Sequence, residues 1–410
     1  MVRKALNIVM VALFSGMLLC VLVPTALKGI GARLAGENPQ EPVKTALEGR
    51  TYTQAPTFSL SSFQSGAYQD QCEDFLADNL PDREDALILN ASLQYAVIDL
   101  ASLPLGYQIL PTHFDSDVVY DKQDGVLADM PLEFTEERLD KIKAFGAGLE
   151  SLSSHFPDTR FFVMTPARAS FAEDSPLTAL VPNAIGQDDL KEALSGQLDN
   201  ATLIDFPSDY DTRLAWFFAT DHHWNMDGAY EGYKAIANAL GHGDELVAKG
   251  GLVYESPAFY GAYARDGLFD KKSEIVYDYE FDLPLYDVTI NGKEKSMKSL
   301  VHEKDGKEDM RFSSRYSNRF HHEYKEIELT NPEVTDGSKL LIVGDSFTDC
   351  IERLLAAHYE TTVVFDPRET AGNDGTTVAQ MIEQHGGFDD VVFLFNSTAL
   401  SRDDVIAALQ

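Results

Sequence analysis

The chain has 410 residues, enough for one large domain or two with a well-buried core. Its 66 Asp and Glu against 33 Lys and Arg leave a formal charge of -33, which repels phosphate backbones and excludes nucleic acid as the main partner. Three cysteines are too few for a disulfide-built scaffold, and Cys72 and Cys350 read as small buried hydrophobes rather than as a pair.

In chain order, Arg3 and Lys4 precede a largely apolar stretch from Ala5 to Leu27. It is long enough to span a bilayer, lacks an A-x-A cleavage signature, and places Cys20 in a poor lipoprotein box. We therefore expect an N-terminal transmembrane helix within residues 1–35, with a short cytoplasmic tail and the remainder exported; a removed signal peptide is the alternative. Residues 36–57 are polar and rich in Pro and Gly, as in a linker, so the folded domain is expected over 58–410. Phe63 to Tyr95 has helical spacing interrupted at Pro81. Asp124-Gly125, between Tyr120 and Leu127, predicts a hairpin, since glycine supplies the positive φ of a tight turn.

Leu139, Ile142, Phe145 and Leu149 predict an amphipathic helix over Thr135–Ser153. It is followed by a strand at Arg160–Met164, a helix over Asp189–Leu198 and a strand within Ala201–Phe206. After residue 338 the rhythm returns: strand Lys339–Val343, helix Phe347–Ala357, strand Thr361–Phe365, helix Thr376–His385, strand Val391–Phe395. Alternation of this kind predicts an α/β fold with a parallel sheet flanked by helices. Residues 255–335 are richer in aromatics and charges and hold an Asn291-Gly292 turn; we read them as a β-rich insertion in the one domain.

Two strings carry chemistry: Asp221-His222-His223-Trp224-Asn225, and Gly344-Asp345-Ser346-Phe347 directly after an apolar strand. A strand ending in Gly-Asp-Ser and opening into a helix puts the Ser346 hydroxyl at the carboxyl end of a sheet, with its N–H at a helix N-terminus. Alone, that serine reads equally as an N-cap. Asp221 and His223 leave one face of an extended segment, so a carboxylate can orient an imidazole, and Asn225 or Asp227 caps the following helix. Together these are the parts of a Ser-His-Asp triad. Metal binding is the competing reading of Asp221, His222 and His223, but three adjacent ligand-type residues are not expected to face one ion, and we assign neither metal nor cofactor. His321 and His322 lie in the charged insertion without a partner motif and read as solvated or structural.

Asp-His-His-Trp followed by Gly-Asp-Ser-Phe resembles the DHHW family of exported bacterial proteins, relatives of the alginate O-acetylation proteins in the SGNH hydrolase superfamily. Residues Phe75–Arg83, the Asp124-Gly125 hairpin, Phe365-Asp366-Pro367-Arg368 and Val392–Asn396 carry the same likeness. The resemblance implies an SGNH-like sheet with a circularly permuted motif order, Asp221 and His223 preceding Ser346. It places Asn396 at the oxyanion site. Arg368 reads as either a substrate arginine or a structural one paired with Asp366 or Glu369. One residue rather than two separates the Asp and His, which leaves His222 and His223 both open as the base. Ser397 follows Asn396 where that superfamily has Asp. The implied function is O-acetyl transfer to a polysaccharide hydroxyl at the outer face of the cell membrane, beside a multi-spanning membrane acyltransferase. A carbohydrate acetyl esterase and a non-catalytic glycan-binding scaffold are the alternatives.

Overall fold

A computed structural model describes residues 45, 47, 51–80, 82–102, 105–111, 113–114, 117–302, 311–320, 324–368 and 375–410. The apolar stretch Ala5–Leu27 and the pair His321 and His322 lie outside them. Among the described residues no helix is long and apolar enough to cross a membrane.

The chain divides into two compact units, 1–97 and 98–410. The first holds α1 (Leu60–Ser65), α2 (Ala67–Asp78) and most of α3 (Arg83–Ala101). Ser59 caps α1 by accepting from Ser62 N at 3.1 Å, and Gly66, at φ 89°, makes the left-handed break between α1 and α2.

The second unit begins with a small sheet, β1 (Tyr107–Ile109), β2 (Val118–Asp121) and β3 (Val126–Asp129), in which β2 and β3 form the hairpin expected at Gly125, φ 69°. Then come α4 (Glu136–His155), β4 (Arg160–Met164), α5 (Gln187–Ser195), β5 (Thr202–Leu203), α6 (Tyr210–Trp216) and α7 (Met226–Leu240). Next are β6 (Lys249–Glu255), α8 (Ala262–Asp266), β7 (Tyr277–Phe281), β8 (Asp287–Ile290), β9 (Lys293–Lys295), α9 (Arg315–Phe320) and β10 (Glu326–Thr330). The chain ends through β11 (Lys339–Gly344), α10 (Glu352–Leu355), β12 (Thr361–Phe365), α11 (Val378–Gln384), β13 (Asp390–Leu394) and α12 (Asp403–Ala407).

Eight strands form the main sheet in the order β5-β4-β13-β11-β12-β10-β8-β9. The first five are parallel to their neighbours, and β10, β8 and β9 continue the sheet antiparallel, so the expected α/β architecture holds with a mixed sheet. Segment 255–335 is divided in use. β7 pairs with β6 in a separate ribbon, whereas β8 to β10 widen the main sheet, with Asn291 (φ 47°) and Gly292 (φ 72°) making the turn between β8 and β9.

Period-two alternation along the central strands feeds two cores. Phe162, Met164, Leu340, Ile342, Val392 and Leu394 pack under α7 and α10, while Phe161, Val163, Leu341, Val343, Val391 and Phe393 pack under α4, α5, α11 and α12. The chain leaves β11 on one face and β12 on the other, and β13 returns between β4 and β11. The carboxyl ends of β11 and β13 are therefore a switch point, where open α/β sheets form a crevice.

The expected helix Phe347–Ala357 is largely a run of turns, and only Glu352–Leu355 is α-helical. Local side chains compete with the helix here: Asp345 Oδ1 accepts Phe347 N at 3.0 Å, and Thr348 Oγ1 donates to Asp345 O at 2.9 Å. The strand expected within Ala201–Phe206 is reduced to two residues, with Ile204 N still donating to Val163 O at 2.8 Å before Pro207 ends the pairing. Cys72 and Cys350 are free thiols.

Candidate active site

At the end of β11, a side chain on Gly344 would put a Cβ 2.4 Å from Thr348 Cγ2 and 2.5 Å from Leu394 O. Only glycine lets β13 approach while the chain turns away. Asp345 then braces the turn across the crevice, its Oδ2 accepting Asn396 N at 2.9 Å and Asn396 Nδ2 at 2.6 Å. Ser346 is left at the crest, its N–H bonded to no acceptor among the described residues. No helix begins at Ser346, so the expected help of a helix dipole is absent; the free N–H remains.

Residues 217–225 join α6 to α7 and carry the second string. The loop is closed by a bridge between Phe217 and Trp224 and by Phe218 N to His223 O at 3.1 Å. Asn225 caps α7, its Oδ1 accepting Asp227 N and Gly228 N at 3.0 Å each. Glu274 supports the loop from outside, accepting Ala219 N at 2.8 Å and Thr220 N at 2.7 Å. Burial raises the Glu274 carboxyl above its ordinary range, more than those bonds lower it.

Asp221 and His223 do not share the face of an extended strand, as the sequence suggested; they close a turn. Asp221 Oδ1 accepts His223 N at 3.0 Å and His223 Nδ1 at 2.6 Å, while Oδ2 accepts Ala262 N at 2.7 Å. From its other edge, His223 Nε2 lies 2.7 Å from Ser346 Oγ. With Nδ1 donating to the carboxylate, Nε2 is free to accept the serine proton. Burial pushes the Asp221 carboxyl upward, but His222, His223 and the donated hydrogen bonds outweigh it and hold the group well below the usual carboxylate range.

Gly261 fits between these parts, since a Cβ there would lie 2.4 Å from both Asp221 Cβ and Thr220 O. Gly261→Ala is expected to cost about 1–3 kcal/mol, as overpacking does, and to lower the urea midpoint with an unchanged slope. A wild-type midpoint would mean that the loop yields without strain.

His222 stands outside this line of short contacts. Its Nδ1 is 3.6 Å from Asp221 Oδ1, and its ring lies 4.0 Å from that of His223. Burial, helped by the nearby Arg168 and Arg213 charges, holds it well below the ordinary imidazole range against the pull of Asp221. Arg168 follows β4 and bonds Asp129 at 3.2 Å, and Asp129 also accepts Ser170 Oγ and Tyr263 OH at 2.9 Å each. Arg368 forks onto Asp366, Nε to Oδ1 at 3.0 Å and an outer nitrogen to Oδ2 at 2.7 Å. Asn396 commits one amide proton to Asp345, while its Oδ1 accepts Thr398 N at 3.0 Å and Thr398 Oγ1 at 2.6 Å.

Donor atoms of Asp221, His222 and His223 do gather within 4.8 Å of one another, contrary to the expectation that adjacent ligands diverge. Two of them are already joined at 2.6 Å, and the Arg168 and Arg213 charges oppose a cation there. A second cluster, His242, Glu245 and His358, has its imidazoles stacked at 4.7 Å and 19°, so no one ion lies in both ring planes.

Sequence reasoning missed the backbone N–H of Ala262, the bracing by Asp345 and Glu274, and Tyr316, which contacts both His223 and Ser346. Asp345 had a signal, an Asx residue directly after a strand. Tyr316 had none.

Residues 210–365, which hold both strings, match the family model described as DHHW protein. The resemblance is to the DHHW family. The Bacillus cereus PatB1 structure with a sulfonyl adduct superposes with a TM-score of 0.56 at 18% identity, covering 72% of this chain and 99% of that one. A DHHW family protein from Eubacterium siraeum gives 0.53 at 16% identity, covering 72% and 94%. The O-acetyltransferase domain of Pseudomonas putida AlgJ gives 0.39 at 14%, covering 71% and 98%. The first two likenesses are likenesses of fold. No curated protein matches the sequence.

Proposed function

We propose that this chain is an extracytoplasmic serine O-acyltransferase that moves an acetyl group to a hydroxyl of a cell-surface or exported polysaccharide. The observation that carries the reading is one unbroken line of short contacts, Ser346 Oγ to His223 Nε2 at 2.7 Å and His223 Nδ1 to Asp221 Oδ1 at 2.6 Å. Ser346 Oγ attacks the acyl carbonyl and passes its proton to His223 Nε2; the imidazolium returns that proton to the leaving group as the acyl-serine forms. A glycan hydroxyl then attacks, loses its proton to Nε2, and Ser346 leaves with that proton restored. Asp221 fixes the tautomer and faces the imidazolium. The unbonded Ser346 N–H and the remaining amide proton of Asn396 are the donors for the oxyanion.

In this reading the sheet is SGNH-like with a permuted order of motifs, and His223 rather than His222 is the base, since only His223 touches both Asp221 and Ser346. Arg3, Lys4 and the apolar Ala5–Leu27 support anchoring in the cell membrane with the folded part outside. A multi-spanning membrane protein would supply the acetyl group from across the bilayer.

Residues 36–410 given an acetyl donor and oligosaccharide are expected to yield acetylated sugar, and Ser346→Ala to yield none. Free acetate as the sole product would make the protein an esterase. Equal turnover in wild type and Ser346→Ala would end the serine reading. A sulfonyl fluoride is a suitable label for the same serine, in the reagent class of the adduct described for PatB1.

A further inference from the structure

Ser346 lies in a run of turns, so no helical ladder fixes the peptide that carries its hydroxyl. Asp345 Oδ1 holds the N–H of the Ser346–Phe347 peptide at 3.0 Å, and a contact from elsewhere in the chain holds its carbonyl. Tyr316, on α9, donates its hydroxyl to Ser346 O at 2.9 Å. The same ring lies flat on His223, with centroids 4.0 Å apart and planes 12° from parallel. One side chain, 2% exposed, thus touches two of the three aligned residues, Ser346 and His223.

From these two contacts we infer that Tyr316 is a positioning residue for acyl transfer, its hydroxyl pinning the Ser346 peptide and its ring fixing the plane of the His223 imidazole. The inference rests on the serine reading proposed above. His222 also lies 4.0 Å from His223, but its ring is tilted by 35°, so the flat contact on the base is that of Tyr316. Flat support matters because the line from Nε2 to Oγ bends if the imidazole rocks, and proton transfer weakens as a hydrogen bond leaves linearity. The face also suits the charge that develops: an imidazolium on a phenol ring gains a cation–π attraction that neutral imidazole lacks.

Tyr316 is itself fixed on several sides. Its hydroxyl faces Cys350 Sγ at 3.5 Å, and that sulfur accepts Trp224 Nε1 at 3.1 Å from the same loop as His223. Phe320 packs on it at 5.4 Å and Phe218 meets it edge-on at 6.3 Å. The charged segment 255–335 therefore delivers a ring to the reacting groups.

The test uses p-nitrophenyl acetate turnover together with the low-field proton NMR signal of the His223–Asp221 hydrogen bond, assigned by its loss in Asp221→Ala. Tyr316→Phe keeps the ring and removes one hydrogen bond; kcat is expected to fall about threefold to tenfold, with KM within about twofold and the signal in place. Tyr316→Leu removes the ring, and kcat is expected to fall about tenfold or more with the signal shifted or broadened. Wild-type kcat in both variants with an unmoved signal overturns the inference. If Tyr316→Leu does not fold, the kcat against KM result for Tyr316→Phe decides. If wild type itself shows no turnover, the serine reading fails, and the NMR signal still decides whether Tyr316 positions His223.

Discussion

Replacing His223 by alanine is expected to slow p-nitrophenyl acetate turnover by about 10^4- to 10^6-fold, whereas His222→Ala is expected to cost about tenfold or less. The two rings are neighbours in sequence and lie 4.0 Å apart, yet only His223 bonds Asp221 at 2.6 Å and Ser346 at 2.7 Å. His222, kept neutral by burial and by the surrounding positive groups, supplies a ring face and no proton. Groups that act as one relay are not additive, so His223→Ala combined with Ser346→Ala is expected to be no slower than either alone. Among the described residues, every hydrogen bond at the Asp221 carboxylate is donated to it, by two backbone N–H groups and by His223 Nδ1. Asp221→Asn would therefore set an amide N–H against a donor and favour the wrong tautomer, with a loss of about 10^4-fold in kcat. The assay is turnover above the uncatalysed rate, and His222→Ala matching the loss of His223→Ala would reverse the assignment.

Much of this site could be read before the fold was known, because its covalent neighbourhood is informative. Asp221 and His223 are two residues apart, and Gly344-Asp345-Ser346 follows a strand that apolar composition alone marks. The parallel strands β4, β11, β12 and β13 were legible for the same reason, being short apolar runs at regular spacing. What was illegible depends on backbone geometry or distant pairing. Whether Ser346 opens a helix turns on Asp345 accepting Phe347 N, a choice between turn and helix that residue types leave nearly balanced. Ala262 meets Asp221 through its backbone, so its identity carries no signal. Tyr316 is 30 residues from Ser346 in a segment whose aromatics have no regular spacing, and its role comes from where α9 lands. Asn396 shows the limit of the family likeness, which gave its position beside the crevice but not that Asp345 takes one of its amide protons at 2.6 Å.

The landing of α9 is fixed by charges, and this gives the largest stability effect we expect. Asp278, on β7, is 0% exposed, and its Oδ2 meets an outer nitrogen of Arg319 on α9 at 2.6 Å and one of Arg353 on α10 at 2.7 Å. Its Oδ1 accepts Tyr279 N at 2.8 Å. One buried carboxylate thus joins the ribbon, the helix that carries Tyr316 and the helix that follows the Ser346 turn. Truncating it leaves two buried guanidinium groups facing each other without their shared counter-charge, and breaking such a pair on one side costs about 3–5 kcal/mol. Asp278→Ala is therefore expected to lower the urea midpoint by that equivalent and, through the loosened α9, to reduce kcat for p-nitrophenyl acetate as well. Replacing all three by apolar residues of similar volume removes the stranded charges, so Asp278→Leu, Arg319→Met and Arg353→Met together should recover stability relative to Asp278→Ala. Since α9 would then lack the ion pair that sets its place, stability is expected to return further than kcat does. Full recovery of both would mean that the cluster holds the fold but does not place the ring.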